Sequence, residues 1–496
     1  MVSKQLPWWK KKKTLLLIIS IVFVTAIFII VISWIYGTGF NGYNTTTTIV
    51  TIHGVTQTTN YQRGKTLWDW LQLLIIPAVL ANIVLWFNHT QHRNELRAAE
   101  QRAKDEKEAA EQRATLEKSI ADDNQRETAL QSYFDRMSRL LLEGHKLRKS
   151  KPGDEVRTIA RALTLTTLKK LDGARKVSLL LFLYESSLIK KDPDNIIDLW
   201  GADLSGIERP LIFPEVNLRG VILSTDKEPA TLIWSNLKGA DLSEAMLAMV
   251  ILPNAKLSNA ILRKAILSQA NLRGTDLQAA DLEGAFLSSA KLNHANLSGA
   301  NLNKADLGSA DLSQAKLANA KLSANLNEAT LTYAELVQAD LSKASLVKSD
   351  LRKAYLVQAN LSQAHLDDAN LSNADLRWAN LSEAYLWGAD LSNVQMNNAN
   401  LNKANLSETN LTGANLRIAD LSHSKLYRTK LNEAKLNNSD LTNADLTLAD
   451  LSNADLSDAK LDGAILDGTI RDGAIITEAQ LKTVASINEV FFVEKS

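Results

Sequence analysis

Between residues 235 and 468 leucine returns every fifth residue with a small residue two places before it, in units such as Ala449-Asp450-Leu451-Ser452-Asn453. Centres from Leu237 to Leu322 and from Leu326 to Leu466 number 47; only Met396 is not leucine, and the residue two before is Ala in 38, with Ser, Thr or Val in the rest. A period of five matches neither the 3.6 of a helix nor the 2 of a flat strand. The chain must therefore turn once per unit and present the same two side chains inward each time.

The motif, Ala-(Asp/Asn)-Leu-X-X over about half the chain, resembles the pentapeptide-repeat proteins. The resemblance implies an all-β solenoid: a right-handed quadrilateral β-helix with four pentapeptides per coil, leucine and the small residue inside, and three positions outside. It implies no common activity. The packing physics agrees, because stacked leucines fill the interior and alanine occupies the neighbouring inward position without overpacking it. At four centres per coil there are about 12 coils, and at ~4.8 Å between strands the rod is ~55 Å long.

One register slip interrupts the rod. In Lys321-Leu322-Ser323-Ala324-Asn325-Leu326 the centres are four apart, which predicts a tightened corner absorbed by the stack; the alternative is a kink dividing two binding segments. Before the regular run, Leu204, Leu218 and Leu223 are irregular centres among Pro210, Pro214 and Pro229, as terminal repeats are. The β-helix is thus expected over residues 199–470 and a C-terminal cap over 471–496. Within that cap, Thr477-Glu478-Ala479-Gln480 has capping-box spacing ahead of Leu481 and Val484, which predicts a short helix closing the last coil.

The first hundred residues have a different chemistry. Residues 15–35 form an apolar run of bilayer-spanning length with no small-residue cleavage pattern after it, which reads as an uncleaved anchor. A second run, 67–87, carries Trp68, Trp70 and Trp86 as an interfacial belt would, with Pro77 and Asn82 assigned to helix packing. Lys4 and Lys10 to Lys13 precede the first span, and Arg93, Arg97 and Arg102 follow the second. The Thr-rich loop 36–66 between them holds only Arg63 and Lys65 as cations. The reading is a two-helix transmembrane hairpin with a basic N-terminus (1–14), both termini cytoplasmic, in a bacterial inner or thylakoid membrane.

Residues 88–128 are charged, Ala-rich and free of Gly and Pro, with Arg102/Glu106, Lys104/Glu108 and Arg113/Glu117 one turn apart. They predict a helical stalk of roughly 60 Å. A coiled coil through Leu96, Ala99, Ala103 and Ala110 is the alternative, weak because its seam has one large residue in two heptads. Residues 129–190 repeat apolar positions at helical spacing, broken at Lys151-Pro152-Gly153 and Asp172-Gly173, and predict three short packed helices. The stretch Gly153-Asp154-Glu155-Val156-Arg157-Thr158 through Lys169-Lys170-Leu171-Asp172-Gly173 resembles the linker beside a paired membrane anchor in pentapeptide-repeat proteins found largely in cyanobacteria. Its Arg157, Arg161, Lys169, Lys170, Arg175 and Lys176 read as a solvated basic face, with anionic lipid or an acidic partner as the alternative.

Charge divides the chain: residues 1–200 carry a net +9 and residues 231–470 a net −5. With no cysteine there is no disulfide, thiol nucleophile or cysteine metal site. No cofactor or metal is implied; His89 and His92, spaced i, i+3, lack a third ligand. Columns of residues 20 apart align Ser345, His365 and Tyr385 with Asp367 beside them. A flat wall over a filled interior offers neither pocket nor oxyanion hole for them, so an enzyme is not expected. Some proteins of the resembled family shield a topoisomerase by mimicking DNA, which makes that an alternative function. DNA carries one charge per ~1.7 Å, so a mimic of this length needs roughly 30 net negatives against the −5 present. Acids clustered on one wall, such as Asp445, Asp450, Asp455 and Asp458, would reopen it; nucleic acid as a direct partner is not expected.

The function that emerges is a membrane-anchored, non-enzymatic scaffold whose rod binds an unknown protein partner, oligomeric state left open, with an inert spacer as a further alternative. The candidate partner surface is where large aromatics break the small, polar outward pattern. His365, Tyr385 and Trp387 share a wall, and Lys425, Tyr427 and Arg428 lie two coils further on, about 10 Å away. Tyr355 and Trp378 fall on a different wall.

Overall fold

In the computed structural model, which describes residues 67–488 apart from 144–145, 192–194 and 226–227, together with 25, 28–29, 51–52 and 55–56, each five-residue unit is one bridge residue and a tight turn. In the unit Ala449 to Asn453, Asp450 pairs in parallel with Lys430 on one side and Ile470 on the other, and Leu451 is fully buried. Asn453 takes φ 57°, and the Ala454 N–H donates to the Leu451 carbonyl at 2.9 Å. A three-residue-spaced bond with positive φ at the third residue is type II turn geometry.

The outward residue before each leucine holds the corner. Asp450 Oδ1 accepts from the Ser452 N–H at 3.0 Å and from the Ser452 hydroxyl at 2.6 Å. A backbone donor that faces outward at the bend is satisfied this way. This is the physical reason for the recurring (Asp/Asn)-Leu-Ser string.

Successive coils pair 20 residues apart, which makes four walls. Wall one runs from Thr231 through Ile251 and Asn271 to Ile470, wall two from Asn236 through Lys256 to Ile475, wall three from Asp241 through Ile261 to Lys460, and wall four from Met246 through Ile266 to Ile465. The inward leucines and alanines are buried along the whole stack. At the register slip the spacing drops to 19 for Asp306↔Asn325, Asp311↔Thr330, Lys316↔Glu335 and Lys321↔Asp340, then returns to 20 at Asn325↔Ser345. No ladder breaks there. The shortened corner is tied by the Ser323 hydroxyl donating to the Ser342 carbonyl at 2.7 Å and the Ser323 N–H donating to Asn303 Oδ1 at 3.2 Å. The expected tightened corner is what forms, and the pairing shows no division into two segments.

Outside the repeats, the strands β1 (Thr51–Ile52) and β2 (Val55–Thr56) form an antiparallel pair, and the helices are α1 (Leu67–Leu142), α2 (Glu155–Leu168), α3 (Gly173–Glu185) and α4 (Glu478–Leu481). The chain divides into two units, residues 1–118 and 119–496, and α1 contributes to both. Among the described residues no helix is long and apolar enough to cross a membrane. The N-terminus 1–14 and the first expected span, 15–35, lie outside the described residues except for Thr25, Phe28 and Ile29, as does most of the loop 36–66; residues 67–87 are the start of α1.

The helical segment corrects the sequence reading in one respect. Three short helices are expected, but the first is the end of the continuous α1. Residues 119–142 of α1 pack with α2 and α3 around Tyr133 and Met137, with Tyr133 and Thr164 hydroxyls 2.9 Å apart and the Phe134 and Phe182 rings 5.1 Å apart. This domain is seated on the first coils. The Tyr184 hydroxyl donates to the Pro214 carbonyl at 3.0 Å, Lys190 bridges Val216, and one core runs from Leu130 to Leu466. At the other end α4 has the expected capping box between Thr477 and Gln480. Gln480 Nε2 also donates to the Leu456 and Ala459 carbonyls at 2.7 and 2.9 Å, acceptors that no further coil would reach.

Candidate functional site

A side chain on this scaffold is placed by its column and coil alone. Ser345, His365, Tyr385, Asn405 and Lys425 are consecutive rungs of wall four. His365 and Tyr385 stack face to face, with ring centroids 4.6 Å apart and planes 4° from parallel. Trp387 is at the next corner, exposed, its backbone N–H donating to Asp367 Oδ1 at 3.1 Å. Tyr427 holds the same corner position two coils on, with the Arg428 guanidinium 5.1 Å from its ring centroid. His365, Tyr385 and Trp387 are thus brought together, and Lys425, Tyr427 and Arg428 form a second group on the same edge. Tyr355 lies on the Glu335–Tyr355–Asp375 ladder of wall two, and Trp378 at the corner after it, with Arg377 5.9 Å from its ring centroid.

The serine, histidine and carboxylate near this patch do not form a proton relay. Ser345 Oγ donates to Asn327 Oδ1 at 2.7 Å, the His365 ring is stacked on Tyr385, and Asp367 accepts from backbone. Nucleophilic catalysis needs base and nucleophile hydrogen-bonded to each other. Among the described residues no group of three or more His, Asp or Glu side chains is arranged to hold a metal ion.

The acidic residues near the C-terminus are placed differently from the clustered arrangement that a DNA mimic requires. Asp445, Asp450 and Asp455 stand on walls four, one and two, with Asp458 at the following corner, and in the preceding coil each of the three faces a lysine: Lys425, Lys430 and Lys435. On wall three the order reverses, and Lys460 reaches Asp440 at 3.1 Å. Burial pulls the Asp440 carboxyl upward, but the Thr442 hydroxyl and N–H and the Lys460 ammonium outweigh it and hold the group below the usual carboxylate range. A belt of one sign beside a belt of the other cancels the field at short range and fixes which coil sits on which.

The basic face expected on the helical segment is also largely absent. Arg157 donates to the Ser150 and Asn195 carbonyls, and Arg161 to those of Asp198 and Trp200. Arg175 is enclosed by Asp123, Glu127 and Asp172, and Lys176 is buried with its ammonium 2.8 Å from the Ser205 carbonyl and 3.4 Å from Asp203. Four of the six cations therefore fasten the domain, and Lys169 and Lys170 remain exposed.

Two surface features escape a reading that looks only for single aromatics. Met246, Ile266 and Phe286 are consecutive exposed rungs of wall four. Large residues also occupy left-handed corners that favour Gly or Asn, among them Trp234 (φ 61°), Trp378 (φ 58°) and the β-branched Ile418 (φ 60°). Reading the position before each leucine at intervals of 20 would have found the first. The second depends on knowing which corner residue takes positive φ.

Comparison with known proteins identifies the repeat. The family model "Pentapeptide repeats (8 copies)" matches residues 230–263, 251–288, 290–324, 310–346, 324–363, 344–382, 379–417, 419–453 and 429–468. No curated protein matches. Among solved structures, HetL, a pentapeptide repeat protein involved in heterocyst differentiation regulation from the cyanobacterium Nostoc sp. strain PCC 7120, is 26% identical over 60% of this chain and 93% of its own, with a TM-score of 0.17. The plasmid-mediated fluoroquinolone resistance protein QnrB1 is 17% identical over 42% of this chain and 96% of its own, with a TM-score of 0.25. Rfr23 from the cyanobacterium Cyanothece 51142 is 35% identical over 21% of this chain and 66% of its own, with a TM-score of 0.13. Through the right-handed β-helix of residues 230–468, the chain belongs to the pentapeptide-repeat proteins.

Proposed function

We propose that this protein is a membrane-anchored, non-enzymatic scaffold that holds a protein partner against wall four of its β-helix. Pentapeptide-repeat proteins are generally structural or binding proteins, and a filled rod offers surface rather than a reaction vessel. The observation that carries the reading is the His365–Tyr385 stack with Trp387 exposed beside it, on an edge that continues to Tyr427 and Arg428. Trp, Tyr and Arg are the residue types that dominate interface energies, and a rigid wall presents them with little ordering cost on binding. The alternating lysine and aspartate belts argue against a duplex mimic. The anchor rests on the sequence alone: the apolar runs at 15–35 and 67–87, whose basic flanks favour a cytoplasmic position for both termini.

Two experiments test the parts separately. Crosslinking from native membranes should recover a main partner with the wild-type chain and with Trp378→Ala, and lose it with Tyr385→Ala/Trp387→Ala; equal recovery in all three refutes the wall-four assignment. Protease added outside sealed cells or vesicles should leave the rod intact, and digestion of the rod from that side refutes the assigned orientation.

A further inference from the structure

The aromatics on the rod surface differ in what stands beside them. Trp200, Tyr333, Trp378 and Tyr427 each hold a cation of their own chain: Arg219, Lys353, Arg377 and Arg428 lie 5.5, 5.3, 5.9 and 5.1 Å from the ring centroids. Among the described residues no cation lies over Tyr385 or Trp387 in this way.

Carboxylates stand there instead. The corners on either side of His365 and Tyr385 carry Asp367, Asp368 and Glu383, and neither lysine nor arginine. Two of the three are engaged: Asp367 Oδ1 accepts from the Trp387 N–H at 3.1 Å, and Glu383 Oε2 from the Gln363 amide at 2.8 Å. Asp368 is exposed, and its carboxylate makes no hydrogen bond or ion pair among the described residues. Its Oδ1 lies 2.7 Å from where a Cβ at Gly388 would stand, so it occupies the corner that Gly388, next in sequence to Trp387, leaves open. A carboxylate with unused acceptors beside aromatic rings that lack a cation is half of a cation-binding arrangement.

The neighbouring coils bound this patch. Lys348 and Lys403 stand one rung away in the columns of Asp368 and Glu383, and neither forms an ion pair with them. The edge is therefore positive at Lys343 and Lys348, negative over the two ring-bearing coils, and positive again at Lys425 and Arg428. The complement of that pattern is a single cation between acidic flanks. Arginine suits it better than lysine, because a flat guanidinium lies on an aromatic face and still directs in-plane N–H groups at a carboxylate.

We propose that the partner segment held on wall four inserts an arginine here, its guanidinium on the Trp387 indole and its N–H groups on the Asp368 carboxylate, with acidic residues on either side meeting Lys348 and Lys403. This rests on the wall-four reading above and adds the chemistry of the occupant.

The probe is a photoactivatable peptide, Glu-Gly-Arg-Gly-Glu, applied to the purified full-length protein beside versions with citrulline or lysine in place of arginine. The arginine peptide should label the chain around Trp387 about tenfold more strongly than the citrulline peptide, and more strongly than the lysine peptide. Labelling should fall about tenfold in Asp368→Asn and in Trp387→Ala, with unchanged circular dichroism melts, and persist in Trp378→Ala. Equal labelling by the citrulline or lysine peptide, labelling undiminished in Asp368→Asn, or no labelling of this wall overturns the proposal. Recovery of the partner from native membranes separates the two readings. A partner lost with Tyr385→Ala/Trp387→Ala but kept at the wild-type level with Asp368→Asn leaves the docking surface standing and removes the arginine. A partner kept with the double variant removes the surface itself.

Discussion

The rod and the helical domain seated on its first coils are held together in opposite ways. In the rod one contact is repeated: leucine upon leucine inside, and backbone bonds such as Leu361 N–H to the Asn380 carbonyl at 2.7 Å outside. In the helical domain each contact occurs once. Arg175 gathers Asp123, Glu127 and Asp172, Lys176 crosses to Ser205, and Tyr133 meets Thr164. Repetition spreads stability along a stack of nearest-neighbour terms, whereas single contacts concentrate it in a few side chains. The lesson is that a periodic interior leaves the outward residues other than the corner-holding Asp or Asn free to vary, while in the helical domain even charged residues such as Arg175 and Lys176 are committed to structure.

The sharpest way to break this comparison is inside the rod. Leu361→Asp buries a carboxylate with no partner and should destabilise the coil stack by more than about 4 kcal/mol, whereas Ser362→Asp on the adjacent corner should stay within about 0.5 kcal/mol. Denaturant unfolding followed by circular dichroism measures both. Equal losses would mean that the inward and outward positions are misassigned.

In the helical domain, Lys176→Met leaves the Ser205 carbonyl and Asp203 without their buried donor, at a cost of about 1–3 kcal/mol. Faster amide exchange in α3, with the middle coils unchanged, is the expected signature. If the middle coils loosen equally, the helical domain and the rod are one cooperative body and the comparison fails.

A pH series examines the Arg175 cluster. The Gln131 amide and the Arg175 guanidinium hold Glu127 below its usual range. For Asp172, burial pulls upward, but the Arg175 N–H and guanidinium outweigh it and the net shift is also downward. A carboxyl lowered in the folded state contributes stability that is fully present above its unfolded pKa, roughly 4, and is lost as pH falls through the folded value. Protection of α3 should therefore hold from neutrality to about pH 4.5 and decline below about pH 4. Arg175→Gln should flatten that decline; an unchanged acid response in the variant would remove the cluster from the account.

The smallest expected effect is a gain. Ile418 holds φ 60° at an exposed corner, a conformation that costs an L-residue about 1–2 kcal/mol, partly offset by the entropy that glycine loses. Ile418→Gly should stabilise the rod by about 0.5 kcal/mol, read from the denaturation midpoint. A loss of similar size would show that the isoleucine packs favourably enough to repay its backbone strain.

The interior of the rod was legible because leucine and alanine repeat without regard to what surrounds them, and the 20-residue columns then place His365 against Tyr385. The left-handed corners were not legible, since Lys, Glu, Trp and Ile stand there as well as Asn and Gly. The capping role of α2 and α3 was hidden for a different reason. A lysine or arginine in sequence looks the same whether it faces water or, like Lys176 and Arg157, closes a carbonyl across nearly 30 residues or more. The slip at Ser323 was visible as a missing residue, but its harmlessness depends on hydrogen bonds to Asn303 and Ser342 that no local pattern announces.

The central claim is that the repeating positions make the fold and the exceptions on wall four make the function. One variant addresses both halves: Tyr385→Asn, Trp387→Ser and Tyr427→Ser together, which restore residues that the same columns already use at Asn405, Ser407 and Ser288. The account predicts an unchanged circular dichroism spectrum and melting temperature, with the main crosslinked partner lost from native membranes. Retention of that partner at the wild-type level by a folded triple variant would contradict it.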